Sequence, residues 1–238
     1  MESEYGNNFS MEGFVHMETA VDQLKKGLTA AFIDKGVYSG ESYRPQLILN
    51  NHKLGQKVLT SLETELNNCD EFFISVAFIT MSGIIPLLQT LQELEADGVK
   101  GKIITTDYLS FSEPAALEKL NSFRNIELKF YCAGDRGFHT KGYISRRGEE
   151  YRIIVGSANL TSNALTRNEE WNTKLVSMEQ GEYTEGIIRR FHELWQDEHT
   201  LPYAEIADKY KGYYTAQKSW QQYTNLAGVA EANNGYIA

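Results

Sequence analysis

The sequence predicts an α/β fold with a mixed, largely parallel central sheet flanked by helices on both faces. Three observations point to it. Between Phe72 and Tyr131, short apolar runs alternate with stretches of helical period; this is the pattern of βαβ units, whose crossovers make neighbouring strands parallel. Further on, the polar, Gly-containing turn Arg146-Arg147-Gly148-Glu149-Glu150 separates two β-rich segments and reads as a hairpin. Finally, 238 residues with 42% hydrophobic and 23% charged content are the composition of a soluble globular chain with a sizeable core.

Taken in order, Met1 to Ser10 reads as disordered. Phe14, Met17, Val21, Leu24, Leu28 and Phe32 form a helical stripe, and a Gly/Ser-containing link, Gly36 to Pro45, follows. Leu54, Val58, Leu62 and Leu66 mark a second helix. Phe72 to Ile79 is almost continuously apolar, as a strand buried on both faces would be. Ser82 is the expected cap of a helix through Glu95, which Gly98 stops. Lys102 to Thr106 is a strand, Pro114 opens a helix through Phe123, and Ile126 to Tyr131 is a strand. After the hairpin come a strand, Trp171 to Val176, and a closing helix, Glu182 to Trp195. A helical tail follows Pro202. The expected divisions are an N-terminal helical extension, 1–44, a central domain, 45–202, and a C-terminal tail, 203–238.

Chemistry concentrates around the hairpin. Phe138-His139-Thr140-Lys141 precedes it and Gly156-Ser157-Ala158-Asn159-Leu160-Thr161 follows it. On a strand, His139 and Lys141 are two residues apart and share a face. Ser157 and Asn159 repeat that spacing and emerge beside them, after Gly156, where the missing side chain lets the backbone approach a ligand. An imidazole, an ammonium, a hydroxyl and a carboxamide, with no metal-ligand set, suit a phosphodiester. Any one of these residues alone reads more simply, His139 as an ordinary hairpin residue and Asn159 as a helix cap. Their joint order in a strand context favours the site.

This pattern resembles the phospholipase D superfamily, marked by His-x-Lys followed by Gly-Ser-x-Asn. The resemblance implies a metal-independent, two-step displacement at phosphorus. One histidine forms a phosphohistidine, and a second, from a symmetry-related motif, protonates the leaving oxygen and then activates water. It makes His139 the nucleophile or general acid and gives Lys141, Ser157 and Asn159 the phosphoryl oxygens. Glu170, with Glu169 as the alternative, is the carboxylate that orients a histidine. One position departs: the superfamily places Asp five residues after the Lys, where this chain has Arg146. Three further segments, Asn50-Asn51, Cys69 to Thr80 and Asn168 to Asn172, are similar to the nuclease-like region at the N-terminus of bacterial superfamily II helicases and to related restriction endonucleases. The similarity spans Pro45 to Pro202. No Gly-x-x-x-x-Gly-Lys-Ser/Thr occurs, so the helicase part itself is missing.

These readings imply an endonuclease acting on DNA without a cofactor, with RNA left open. The net charge of -9 argues mildly against nucleic acid, but a local basic strip can suffice. Arg146 and Arg147 are the candidate phosphate-binding residues, with Arg136 and Arg152 nearby. Only one His-x-Lys is present, so the economical assembly is a homodimer with the active site at its interface. The competing class is a non-catalytic nucleic-acid-binding or dimerisation module of a helicase, which Arg146 in place of the Asp would signal. A phospholipid phosphodiesterase ranks last, for want of a basic amphipathic helix or hydrophobic anchor. Cys69 and Cys132 lack paired spacing, and with no signal peptide the expected compartment is the cytoplasm. His192-Glu193 is no zinc motif, because position 196 is Gln. The Tyr-rich stretch Tyr210 to Tyr223 reads as packing rather than base stacking.

Overall fold

The computed structural model describes residue 22, residues 44–132, residue 134 and residues 137–234. The disordered stretch and helical stripe expected near the N-terminus lie outside the described residues, as does Arg136. Residues 45–238 form one compact unit. Its described elements are β1 (Gln46–Ile48), α1 (Val58–Leu66), β2 (Glu71–Val76), α2 (Met81–Ile84), α3 (Leu88–Ala96), β3 (Lys100–Thr106), α4 (Pro114–Asn121), β4 (Ile126–Tyr131), β5 (Lys141–Arg147), β6 (Glu150–Gly156), α5 (Ser162–Thr166), β7 (Asn172–Met178), α6 (Glu182–Gln196), β8 (Thr200–Pro202) and α7 (Tyr203–Asn234).

The eight strands make a single mixed sheet in the order β1-β7-β6-β5-β2-β3-β4-β8. The α/β class is as the sequence predicts, but the balance of pairing is the reverse of the expectation. Only β2–β3 and β3–β4 are parallel; the other pairings are antiparallel. The two parallel pairs are the βαβ crossovers seen in the sequence. The chain then passes from β4 to the far side of β2, where β5 pairs antiparallel with it, Val76 opposite Lys141. A hairpin through Gly148, whose φ of 59° suits a residue without Cβ, continues the antiparallel run. The edge strands β1 and β8 have three residues each, too few to show a period in sequence.

Helices cover both faces. Phe72, Ile74 and Val76 of β2 point to the side holding α1 to α5 and the first turns of α7, where Tyr203 and Tyr210 are buried against Phe130. Phe73 and Ala77 point to the side where α6 packs Phe191, Leu194 and Trp195. Strand β2 is therefore buried on both faces, which is why it is nearly all apolar. The helix expected from Ser82 to Glu95 is capped by Thr80 instead and is broken by a 3-10 turn at Ile85–Leu87, where Pro86 has no amide to donate.

Candidate active site

The candidate side chains lie where β2 and β6 end and β5 begins. Phe138 is buried and stacks on Tyr131 at 5.4 Å, which anchors the approach to β5. Thr140 is tied to β2 through Ser75 Oγ at 2.6 Å and through its carbonyl, which accepts from Ala77 N at 3.2 Å. With Thr140 turned to the α6 face, His139 and Lys141 fall on the other. Lys141 Nζ lies 2.9 Å from His139 Nδ1 and donates to the His139 carbonyl at 3.0 Å. The roles of the two nitrogens in that contact depend on the tautomer of the ring. Lys141 is only 7% exposed, whereas His139 faces solvent. Burial pulls the Lys141 ammonium below the ordinary lysine range, and the nearby Glu170 carboxylate pulls the other way.

The second motif forms a turn fixed from three sides. Tyr143 OH donates to Ala158 O at 3.0 Å, Ala158 N donates to Asn172 Oδ1 at 3.1 Å, and Phe78 N donates to Asn159 Oδ1 at 3.1 Å. Because the Phe78 amide is a donor, it fixes the carboxamide flip of Asn159 and leaves Nδ2 to face elsewhere. Asn159 is not a helix cap; Thr161 caps α5. Tyr143 and Asn172 are supporting residues that sequence reasoning missed. Each lies two positions beyond a motif residue, Lys141 and Glu170, a same-face spacing that could have found them. Burial and Glu170 push the Tyr143 phenol well above its ordinary range, so it stays a donor.

Glu170 is 8% exposed. It accepts a short hydrogen bond from Ser157 Oγ and a longer one, 3.4 Å, from Asn168 Nδ2. Of the two candidate carboxylates, Glu169 is exposed and takes the Trp171 indole N–H at 3.3 Å; Glu170 is the one that turns inward. Among the described residues its hydrogen bonds go to Ser157 and Asn168 rather than to His139. Gly156 serves a different purpose from the one expected. A Cβ there would lie 2.2 Å from the Trp171 carbonyl oxygen, so its bare backbone makes room for the neighbouring strand, not for a ligand.

Arg146 and Arg147 are not brought to this cluster. They end β5, and the cluster sits at its start. Arg146 is paired with Glu71 at 3.4 Å and donates to Gly148 O. Nor is Arg152 part of a basic strip: it turns inward to Glu65 at 3.2 Å, which Lys174 also meets at 2.7 Å. The departure from Asp to Arg thus falls at a remote, structural position. His192 packs against Phe73 and Phe191, and His199 bonds Asp197; neither reaches His139. Among the described residues no three His, Cys, Asp or Glu side chains are grouped to hold a metal ion.

A mixed sheet with helices on both faces and a His-Lys pair beside a Ser-x-Asn turn defines a phospholipase D-like domain. The family described as "Cardiolipin synthase, PLD-like domain" matches residues 62–195, more than half of the chain, and the chain belongs to it. No curated protein sequence matches. Among solved structures, NucT from Helicobacter pylori is similar with a TM-score of 0.53 at 16% identity, over 67% of this chain and 98% of that one. Nuc from Salmonella typhimurium, a phospholipase D family member, gives 0.52 at 18%, over 67% and 99%. Phosphatidylserine synthase from Haemophilus influenzae gives 0.52 at 14%, over 77% of this chain but 46% of that one. At these identities the likeness is one of fold. No helix among the described residues is long and apolar enough to cross a membrane.

Proposed function

We propose that the chain is a metal-independent phosphodiesterase, an endonuclease that cuts DNA through a phosphohistidine on His139. The observation that carries this reading is the buried Lys141 ammonium 2.9 Å from the solvent-facing His139 ring. A lone pair of the neutral ring attacks phosphorus; the P–N bond forms, the P–O bond to the leaving sugar oxygen breaks, and that oxygen takes a proton from a second imidazolium. The imidazole so formed deprotonates water, which attacks phosphorus, breaks the P–N bond and regenerates His139. Lys141 and the Asn159 carboxamide offset charge on the non-bridging oxygens, Glu170 steadies the lysine, and Ser157 holds Glu170.

One motif supplies one histidine. The second comes from another copy of the chain across a two-fold axis, an isologous homodimer with the active site at its interface. In the cell the domain works in the cytoplasm beside a helicase or within a restriction system. Arg146, remote from His139, gives no support to the reading of a decayed, non-catalytic nucleic-acid-binding module. The family description and the likeness to phosphatidylserine synthase favour a phospholipid as the second reading. The experiment is incubation of purified protein with labelled single- and double-stranded DNA, and separately with phosphatidylglycerol vesicles, in excess EDTA. Cleavage of DNA that His139→Ala abolishes is expected. Cleavage that EDTA stops and His139→Ala leaves intact refutes the mechanism, and lipid turnover alone selects the second reading.

A further inference from the structure

Two exposed aromatic residues that the proposed chemistry does not use neighbour residues of the site. Trp171 directly follows Glu170 and is 69% exposed. Its backbone amide donates to Ser157 Oγ at 3.1 Å and its indole N–H to Glu169 at 3.3 Å. The residue is thus pinned to the Ser157–Glu170 edge while much of its surface meets solvent. Phe111, 43% exposed, packs edge-on against Phe78 at 5.0 Å, and Phe78 packs edge-on against His139 at 6.0 Å. The loop presenting Phe111 is strained: Leu109 and Ser110, neither a glycine, have φ of 57° and 47°. Such consecutive left-handed residues persist only where surrounding contacts impose them. Here Tyr210 OH donates to Ser112 O at 2.7 Å and Ile79 N donates to Ser112 Oγ at 3.1 Å.

We infer that Trp171 and Phe111 stack on unpaired nucleobases flanking the scissile phosphate, which makes single-stranded nucleic acid the preferred substrate. The inference rests on the phosphodiesterase reading above. The nucleosides on either side of a phosphate held at Lys141 reach toward these two residues. In a duplex those bases are stacked and paired with each other; in a single strand their faces are free, and an aromatic ring accepts any of them. The net charge of -9 leaves little long-range attraction for a polyanion, so short-range stacking is the source of affinity that this surface offers.

The test uses the full chain carrying Trp220→Phe, which removes the other exposed tryptophan, and His139→Ala, so that DNA is bound and not cut. Titration with oligothymidylate is expected to quench the Trp171 fluorescence. Trp171→Ala is expected to weaken binding by roughly 10- to 100-fold, the range for loss of one base stack, with Trp171→Phe restoring most of it. A duplex of equal length is expected to bind more weakly and quench less. Unchanged affinity in Trp171→Ala, with DNA still cleaved by the parent protein, overturns the stacking assignment and leaves the phosphodiesterase reading standing. Dissociation of a dimer by Trp171→Ala, seen by light scattering, also overturns it, because the indole then covers a second copy. Quenching and base-dependent affinity in a protein that cleaves no phosphodiester uphold the platform and refute the activity.

Discussion

Replacing Lys141 by Met separates charge from packing at the centre of the proposed site. The lysine is 7% exposed, so its stem fills space that an unbranched methionine occupies at nearly the same volume, and the fold should change little, by under about 1.5 kcal/mol. What is lost is the ammonium. A phosphodiester carries one negative charge in the ground state and approaches two as the attacking nitrogen adds, so only the extra unit counts toward the rate. One unit charge about 4 Å from Nζ, at an effective dielectric near 20, interacts by roughly 4 kcal/mol. At about 1.4 kcal/mol per decade this corresponds to a rate loss of about three orders of magnitude. Single-turnover cleavage of a labelled oligonucleotide in EDTA, with a thermal melt of each protein, measures both quantities. A Lys141→Met protein that melts like the parent and cleaves within tenfold of its rate refutes the assignment of Lys141 to transition-state charge. Asn159→Ala should fall in the same direction, with a smaller loss, because a neutral donor is removed instead of a charge.

Three further outcomes are expected. Gly156→Ala places a Cβ 2.2 Å from the Trp171 carbonyl oxygen, and forcing β6 and β7 apart should cost about 1–3 kcal/mol; calorimetry should show a melting temperature lower by several degrees, at about 2–4 °C per kcal/mol. Light scattering should give twice the chain mass at assay concentrations, and mixing His139→Ala with Lys141→Met chains should yield heterodimers of altered activity if the two motifs share one cleft; a fully active monomer counts against the shared site. Arg147→Glu, at the far end of β5 from His139, should leave the rate on a short oligonucleotide unchanged and weaken only the salt-sensitive binding of long DNA; a fall in the short-substrate rate would contradict the separation of the two ends of the strand.

The candidate site could be picked out in the sequence because its pairs are local. His139 and Lys141, and Ser157 and Asn159, are two residues apart, and the period of extended backbone is enough to put each pair on one side. The parallel segment β2–β3–β4 was legible for the same reason, since strand and helix periods alternate through it. Tertiary structure alone decided how these pieces meet. Nothing near Phe72 or Lys141 announces that β5 runs antiparallel beside β2, a pairing of residues far apart in the chain, and that pairing turns a mostly parallel expectation into a mostly antiparallel sheet. It also fixes where charge goes: Arg146 and Arg152 look like one basic hairpin in sequence, yet cross-strand and helix neighbours pair them with Glu71 and Glu65. The choice of Glu170 over Glu169 followed from which side of the chain turns inward beside Ser157. Composition and period report what a residue prefers; which partner satisfies a buried charge or strand edge depends on contacts between distant segments, and only the folded chain determines them.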